Sequence, residues 1–299
     1  MGSARVREAL VGYGFVIVPM AVFGLFFIWP MVYAFYISAH EWGGLEGKIA
    51  SVGLDNYRVA WDDDIFRRAL KNTLVYTAAV VPLQMTIGLT LAVVVNQALR
   101  GRGFFRSAFY FPSLTSSAAI VAIAIYILSA DGLLNATLRG IGLEEAIPSE
   151  NTWYADSDTA LWTIVGLNGW TTSGTMMLFY LASLQSIPQD VYEAAAIDSA
   201  GTWRTFWKIT FPLLKPAHFF VAVVSMIGAL KIFDQAFIFS TGSGGPAYST
   251  MTAVLYLYTV AIGDFDFGYG ATVGCVLFLI IFTLTLAQRL MFGKAEIGY

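Results

Sequence analysis

Charge is scarce in this sequence. Only 12% of its 299 residues are Asp, Glu, Lys or Arg while 57% are hydrophobic, and a soluble domain carries roughly a quarter charged residues, so an ordinary water-soluble fold is excluded. There is one cysteine, Cys275, set inside a hydrophobic run, which rules out a disulfide within the chain and reads as a core thiol. The two histidines, His40 and His218, lack the H-E-x-x-H spacing of a zinc protease and read as interfacial residues at span ends. No G-x-S-x-G occurs, and no G-x-x-x-x-G-K-[ST], so neither a serine hydrolase nor a phosphate-cradling loop is encoded. The acidic segments 142–150 and 153–158 have no metal-ligand spacing and read as solvated loop. A net charge of -3 without a basic tail gives no case for nucleic acid.

What is abundant is apolar length. A hydrocarbon core about 30 Å thick needs about 20 apolar residues of helix, and six stretches qualify: roughly 11–39, 70–99, 104–129, 159–186, 211–240 and 267–291. The runs are continuous rather than alternating, which predicts helices and excludes a barrel wall. The fold class is therefore an all-α polytopic membrane protein forming a single transmembrane domain over 1–299. The first run follows Arg5 and Arg7 but is far longer than the h-region of a signal peptide and is expected to stay as the first span.

Lys and Arg are retained on the cytoplasmic side. With both termini inside, the inner segments hold Arg5, Arg7, Arg100, Arg102, Arg106, Arg204, Lys208, Lys215, Arg289 and Lys294. The outer segments hold Lys48, Arg58, Arg67, Arg68, Lys71 and Arg139, diluted by acidic residues from Glu41 and Glu46 to Asp266. The cluster Arg67, Arg68 and Lys71 runs against the rule, and the acidic trio Asp62, Asp63 and Asp64 just before it is its expected neutraliser.

This topology places a polar island, 187–210, in the cytoplasm between two membrane-grade runs. Pro188 suits a helix start, Asp190 complements the positive end of the helix dipole, and the run Glu193-Ala194-Ala195-Ala196 has high helix propensity. Gly201 can break the helix, and Pro212 and Pro216 mark the start of the next span. A short helix–turn–helix that docks a partner is one reading; an amphipathic loop at the headgroup level is the other.

Glu193-Ala194-Ala195-x-x-Asp198-x-Ala200, followed by Phe206, Ile209, Pro212 and Pro216, resembles the signature loop of permease subunits in type I binding-protein-dependent ABC importers. Gly53-Leu54-Asp55-Asn56-Tyr57, Asn72-Thr73, Gly101 to Arg106, Leu184 to Pro188, Phe233-Asp234-Gln235 and Asp266 to Gly270 extend the resemblance to the carbohydrate-uptake branch, the sugar and glycerol-phosphate permeases. One position departs: the residue after the Asp is usually glycine in that family and here is Ser199, with Gly201 two residues on leaving room for a shifted bend. The resemblance implies that Glu193, Ala194, Ala195, Asp198, Ser199, Ala200 and Gly201 couple to a cytoplasmic ABC ATPase dimer, which would use the ATP and Mg²⁺. It also implies a second permease subunit, a solute-binding protein meeting segments 40–68, 130–158 and 241–266 outside, and a prokaryotic cell membrane. The cargo would be a carbohydrate, a di- or oligosaccharide ahead of glycerol phosphate or another polar solute. An ion-coupled carrier would need inverted repeats, which the chain does not display.

Lys231, Asp234 and Gln235 lie at i, i+3 and i+4, which predicts one helical face in the fifth span. Lys231 and Asp234 either neutralise each other there, or Asp234 and Gln235 join Asn168 and Trp170 of the fourth span in lining a sugar pathway. Gly270 and Gly274 form a G-x-x-x-G pair suited to close packing, Pro82 and Gly88 suggest a kink, and Trp29, Trp42, Trp61, Trp153 and Trp162 read as an aromatic belt.

The charge reading makes a topological prediction. In a Cys275→Ala background, single cysteines at Ser51 and Ser149 will react with an impermeant thiol reagent added to intact cells, and one at Ser199 will not; labelling of Ser199 from outside would invert the topology.

Overall fold

Away from water each backbone N–H and C=O must find a partner within the chain, and apolar runs of this length meet that demand as helices. The structure is a computed structural model that describes residues 2–44, 49–97, 100–150 and 152–292. Glu46, Lys48, Lys294 and the expected end of the second span at Leu99 lie outside the described residues.

In chain order, α1 (Gly2–Phe23) passes through a π-helical turn, Gly24–Ile28, into α2 (Trp29–Ser38). Strands β1 (His40–Trp42) and β2 (Ile49–Ser51) pair antiparallel with His40 opposite Ser51, a small departure from a purely helical fold. Then follow α3 (Asp55–Asp62), α4 (Asp64–Asn96), α5 (Arg102–Leu114), α6 (Ser117–Ile127), α7 (Leu133–Gly140) and α8 (Ala160–Ser186). The chain continues through α9 (Gln189–Ile197), α10 (Thr202–Thr205), α11 (Phe211–Leu213), α12 (Lys215–Leu230), α13 (Asp234–Ser240), α14 (Ala253–Tyr258) and α15 (Phe267–Phe292).

Among the described residues, four helical segments are long and apolar enough to cross a membrane: Val11–Ser38, Asp64–Asn96, Lys215–Ser240 and Phe267–Phe292. The third expected span is not one helix. It is α5 and α6, bent by 94° between them. Pro112 sits in the last turn of α5, and Ser116 caps α6 by accepting the Ala119 N–H at 3.4 Å. The fourth, α8, has 27 residues, enough to cross at about 1.5 Å per residue, but Asn168 and Thr171 to Ser173 lower its hydropathy. Six uniform spans thus become four, or five with the bent pair, plus a long and more polar helix.

The chain divides into two compact units, Met1–Asp63 with Leu257–Phe278 and Asp64–Tyr256 with Leu279–Tyr299. In the first, the end of α2 is tied by hydrogen bonds. Asn56 Nδ2 donates to the carbonyls of Ser38 and His40 at 3.0 and 3.1 Å, and Thr272 Oγ1 donates to Ser38 O at 3.1 Å. Ser38 Oγ and Tyr57 OH lie 2.7 Å apart, and burial pushes the Tyr57 phenol above its ordinary pKa, keeping it protonated. The G-x-x-x-G pair is spent inside this unit: a methyl at Gly270 would come 2.6 Å from Ala261 Cβ, and one at Gly274 3.2 Å from Leu257 Cδ1.

In the second unit α4 packs along α8. A methyl at Gly88 would stand 2.7 Å from Met176 Cβ, and one at Gly169 2.5 Å from Leu83 Cδ2, so these glycines set how closely the helices approach. Gly88 is therefore a contact point, and α4 runs as one helix through Pro82. Ala92, Val95, Met177, Tyr180, Leu214 and Val221 build the core where α4, α8 and α12 meet. Arg67 pairs with Asp64 one turn before it, as the acidic trio suggested. Two other residues depart from expectation. His218 is buried, 8% exposed, rather than interfacial. Asp156, also buried, accepts from the backbone N–H of Asp158 at 2.9 Å, from Ser149 Oγ at 3.1 Å and from Thr159 N–H at 3.2 Å, which holds its carboxyl below the usual range. It organises the turn before α8 instead of being solvated.

The fifth span opens at Lys231–Phe233, where φ of Phe233 is −137°. The carbonyl of Ile232 at the break is met from the segment before α14, whose own first amide is met from α4. Thr252 Oγ1 donates to Ile232 O at 3.0 Å, while Thr73 Oγ1 accepts the Ala253 N–H at 2.9 Å and donates to Ala69 O at 2.8 Å. Asn72 Nδ2 donates to Tyr248 O and Met251 O at 2.8 and 3.0 Å, pinning a loop in which Thr241, Ala247 and Tyr248 adopt positive φ. Replacing Thr73 by valine keeps shape and leaves the buried Ala253 N–H unpaired, so Thr73→Val will lower stability by about 1–3 kcal/mol. Thermal unfolding of the detergent-solubilised protein reads this; an unchanged midpoint would show that the hydroxyl does not hold the loop.

Candidate docking loop and pathway residues

The polar island folds as two short helices joined by a tight turn. Pro188 is the N-cap of α9 and Asp190 lies in its first turn, where a carboxylate complements the exposed N–H groups. Glu193 is exposed and accepts from Gln189 Nε2 at 3.1 Å. Ala194, Asp198 and Ser199 are exposed as well, while Ala195 is buried at 6%. The helix ends in a Schellman turn: Ala200 N–H donates to Ala195 O and Ser199 N–H to Ala196 O, both at 3.0 Å. Ser199 takes the left-handed conformation this turn needs, φ +54°, and Gly201 is extended at φ −65°, ψ 158°. The bend therefore stays at Ser199 and is not shifted to Gly201.

The second helix begins at Thr202 and runs through a π-helical segment, Phe206–Thr210, into α11 and α12. Tyr192 OH lies 3.3 Å from Thr210 Oγ1, joining the two helices across the turn. Side chains four residues apart meet along it: Trp203 is edge-on to Trp207 with centroids 5.6 Å apart, and Trp207 is tilted against Phe211 at 5.1 Å. Phe211 meets the His218 ring at 4.4 Å. His218 Nε2 lies 3.2 Å from Phe211 O and Nδ1 lies 3.0 Å from Tyr180 OH. With its proton on Nε2, the imidazole donates to the loop carbonyl and accepts from Tyr180, tying the loop to α8. The sequence alone places His218 at a span end and does not single out Tyr180; the aromatic spacing 203–207–211 is the signal that points toward the histidine.

The pathway residues are placed less simply. Because the helix opens between them, Lys231, Asp234 and Gln235 do not share one helical face, and among the described residues Lys231 and Asp234 form no ion pair. Lys231 and Asp234 are exposed and Gln235 is half-buried at the start of α13, which packs against α6. Asn168 uses its amide inside the chain, donating from Nδ2 to Tyr76 OH at 2.5 Å and accepting from Thr172 Oγ1 at 2.8 Å. Trp170, two residues along the same helix, points about 200° away and is exposed. No hydrogen bond among the described residues joins these two to Asp234 or Gln235.

The family described as binding-protein-dependent transport system inner membrane component matches residues 84–294. The lactose transport system permease protein LacF of Rhizobium radiobacter is 35% identical over 279 residues, covering 93% of this chain and 92% of the relative. The multiple sugar-binding transport system permease protein MsmF of Streptococcus mutans is 30% identical over 99% of this chain and 100% of the relative. A chain in the crystal structure of a bacterial alginate ABC transporter, in complex with alginate pentasaccharide-bound periplasmic protein, has the same fold. Its TM-score is 0.81 at 19% identity, over 96% of both chains.

The Schellman turn carries a test. An L-residue in the left-handed region costs roughly 1–2 kcal/mol, and glycine relieves this while losing about 0.5–1 kcal/mol of chain entropy. Ser199→Gly will therefore stabilise the turn by up to about 1 kcal/mol, and Ser199→Val will destabilise it. Hydrogen exchange at the Ala200 amide will slow in the first and quicken in the second; equal exchange in both would mean that the turn tolerates either residue.

Proposed function

The chain belongs to the family of binding-protein-dependent transport system inner membrane components, and from that membership we propose how its parts work in a carbohydrate importer. It is a membrane-spanning permease of an ABC transport system. Its cargo is a di- or oligosaccharide. This reading is supported by relatives whose names specify lactose, multiple sugars and, in the Bacillus subtilis permease AraP that is 33% identical over 91% of this chain, arabinooligosaccharides.

Residues 1–299 act as one permease of six membrane crossings, α8 and the bent α5–α6 pair included, with both termini in the cytoplasm. ATP and Mg²⁺ are used by a separate ATPase dimer, a second permease completes the pathway, and an extracytoplasmic solute-binding protein delivers the sugar. The observation that carries the coupling role is the rigidity of the acidic helix–turn–helix. Glu193, Ala194, Asp198 and Ser199 face outward on a turn fixed by Ala195, Ala200 and Gly201. A docked subunit that pulls on this turn pulls on Thr210 through Tyr192, and the Phe211 carbonyl then pulls on α8 through His218 and Tyr180. Asp234 and Gln235, beside the opened backbone of the fifth span, are the sugar-facing pair. Trp170 offers a stacking face, and Asn168, on another side of α8, supports it from behind by holding Tyr76 and Thr172.

Glu193→Lys tests the coupling role. An exposed charge contributes within about 0.5 kcal/mol to folding, whereas losing one partner of a desolvated interfacial pair costs about 2–5 kcal/mol. Membrane expression of the variant will stay near normal while sugar uptake is abolished and ATPase retention on purification weakens. Wild-type uptake and sugar-stimulated ATP turnover in this variant would overturn the assignment.

A further inference from the structure

The fifth span breaks where nothing in its own sequence asks for a break. From Lys231 to Ser240 there is no glycine or proline, and the nearest glycine, Gly228, lies inside α12. Helices otherwise kink at proline, at glycine–serine pairs, at π-bulges or where a side chain inserts into the ladder. Here the inserted group is Thr252 Oγ1, which donates to Ile232 O at 3.0 Å. In a continuous helix that carbonyl accepts the Ala236 N–H instead.

The broken form is costly on both sides of the break. Lys231 and Asp234 are exposed and form no ion pair among the described residues, although they lie in a membrane-grade span where charge is expensive. In a continuous helix they stand three residues apart on one face, within reach of each other. The loop that supplies Thr252 is strained. Thr241, Ala247 and Tyr248 sit at φ +50°, +49° and +58°, a region that L side chains avoid, and Ser249 Oγ and Thr250 Oγ1 are buried without a hydrogen-bond partner among the described residues. What holds the loop is α4: Asn72 Nδ2 donates to Tyr248 O and Met251 O, and Thr73 Oγ1 accepts the Ala253 N–H. Local sequence favours one helix and the contacts with α4 favour two, a conflict of the kind that natural proteins keep at working sites.

We propose that residues 231–252 form a two-state switch. In the state seen in the structure, the loop is latched to Asn72 and Thr73 and the span is broken. In the other, the latch is released, the strained loop relaxes, Ile232 O exchanges Thr252 for the Ala236 N–H, and α12 and α13 join into one helix in which Lys231 pairs with Asp234. The change moves Asp234 and Gln235 from a helix start onto the face of a continuous span. The switch is built from α4 and the fifth span and does not depend on the cargo; its use in transport rests on the importer reading.

Hydrogen exchange read by mass spectrometry, on the full chain with its co-purifying subunits in nanodiscs, separates the two states. The amides of 248–251 donate to loop carbonyls in the latched form, whereas those of Asp234 and Gln235, at the start of α13, gain helical partners only when the helices join. Asn72→Ala removes two hydrogen bonds, so exchange at 248–251 will quicken about ten-fold while exchange at 234–235 slows. A loop that is only structural would quicken both, and that result, or no change in either, would overturn the switch. Ala247→Gly relieves one left-handed residue and will slow exchange in the loop about three-fold; an unchanged or faster loop would overturn the strain on which release depends. Lys231→Met added to Asn72→Ala will leave the loop fast and abolish the slowing at 234–235, and slowing that persists would overturn the Lys231–Asp234 pair. In the wild type, ATP with vanadate will shift the two segments in opposite directions relative to the nucleotide-free protein. A preparation that hydrolyses ATP yet keeps one exchange pattern in both conditions would overturn the switch, whereas a preparation without ATP hydrolysis counts against the importer reading and leaves the switch to the Asn72→Ala result.

Discussion

The second unit is organised around the close approach of α4 and α8 at Gly88. In a bilayer two apolar helices gain little by hiding from lipid, so their association depends on how many atoms reach contact distance and on the few polar bonds between them. Gly88 and Gly169 supply the first by admitting Met176 and Leu83, and the Tyr76–Asn168 bond supplies the second. Once these helices are locked, Tyr180 of α8 is held where His218 can reach it, and the loop joining α8 to α12 inherits a fixed anchorage.

The interruptions of helix follow from the same solvent. Each opened turn in a membrane protein frees backbone groups that water cannot rescue, and here the groups are met by named side chains. Ser116 caps the bend between α5 and α6, Thr252 covers Ile232 O, and Thr73 receives the Ala253 N–H. The break beside Lys231 thus persists as a defined structure. It places Asp234 and Gln235 at the start of a new short helix instead of midway along an old one.

The signature loop was legible because its chemistry is local. An alanine-rich helix after Pro188, an acidic first turn and a stop near Asp198 follow from propensities that act within a few residues, and the helix formed there. The position of the bend was not legible in the same way. Glycine content points to Gly201, yet the two Schellman bonds count from Ala195 and Ala196 and put the left-handed residue at Ser199. His218 was misjudged for a related reason. Its distance along the chain from a span end suggested an interface, and only the packing of α8 against α12 turns its ring inward.

Composition and apolar run length by themselves determined that this chain is helical and lives in a membrane, since both follow from the cost of unpaired backbone in hydrocarbon. Together with the loop motif they carried the transport family as well. Tertiary structure decided which runs stay straight, which side chains share a face and which glycines are contacts. Those outcomes depend on partners far apart in the chain: Thr73 with Ala253, Tyr76 with Asn168, Tyr180 with His218. Period and propensity describe a residue's neighbours along one helix, whereas a break in a span survives only if a donor or acceptor from another helix arrives to satisfy it.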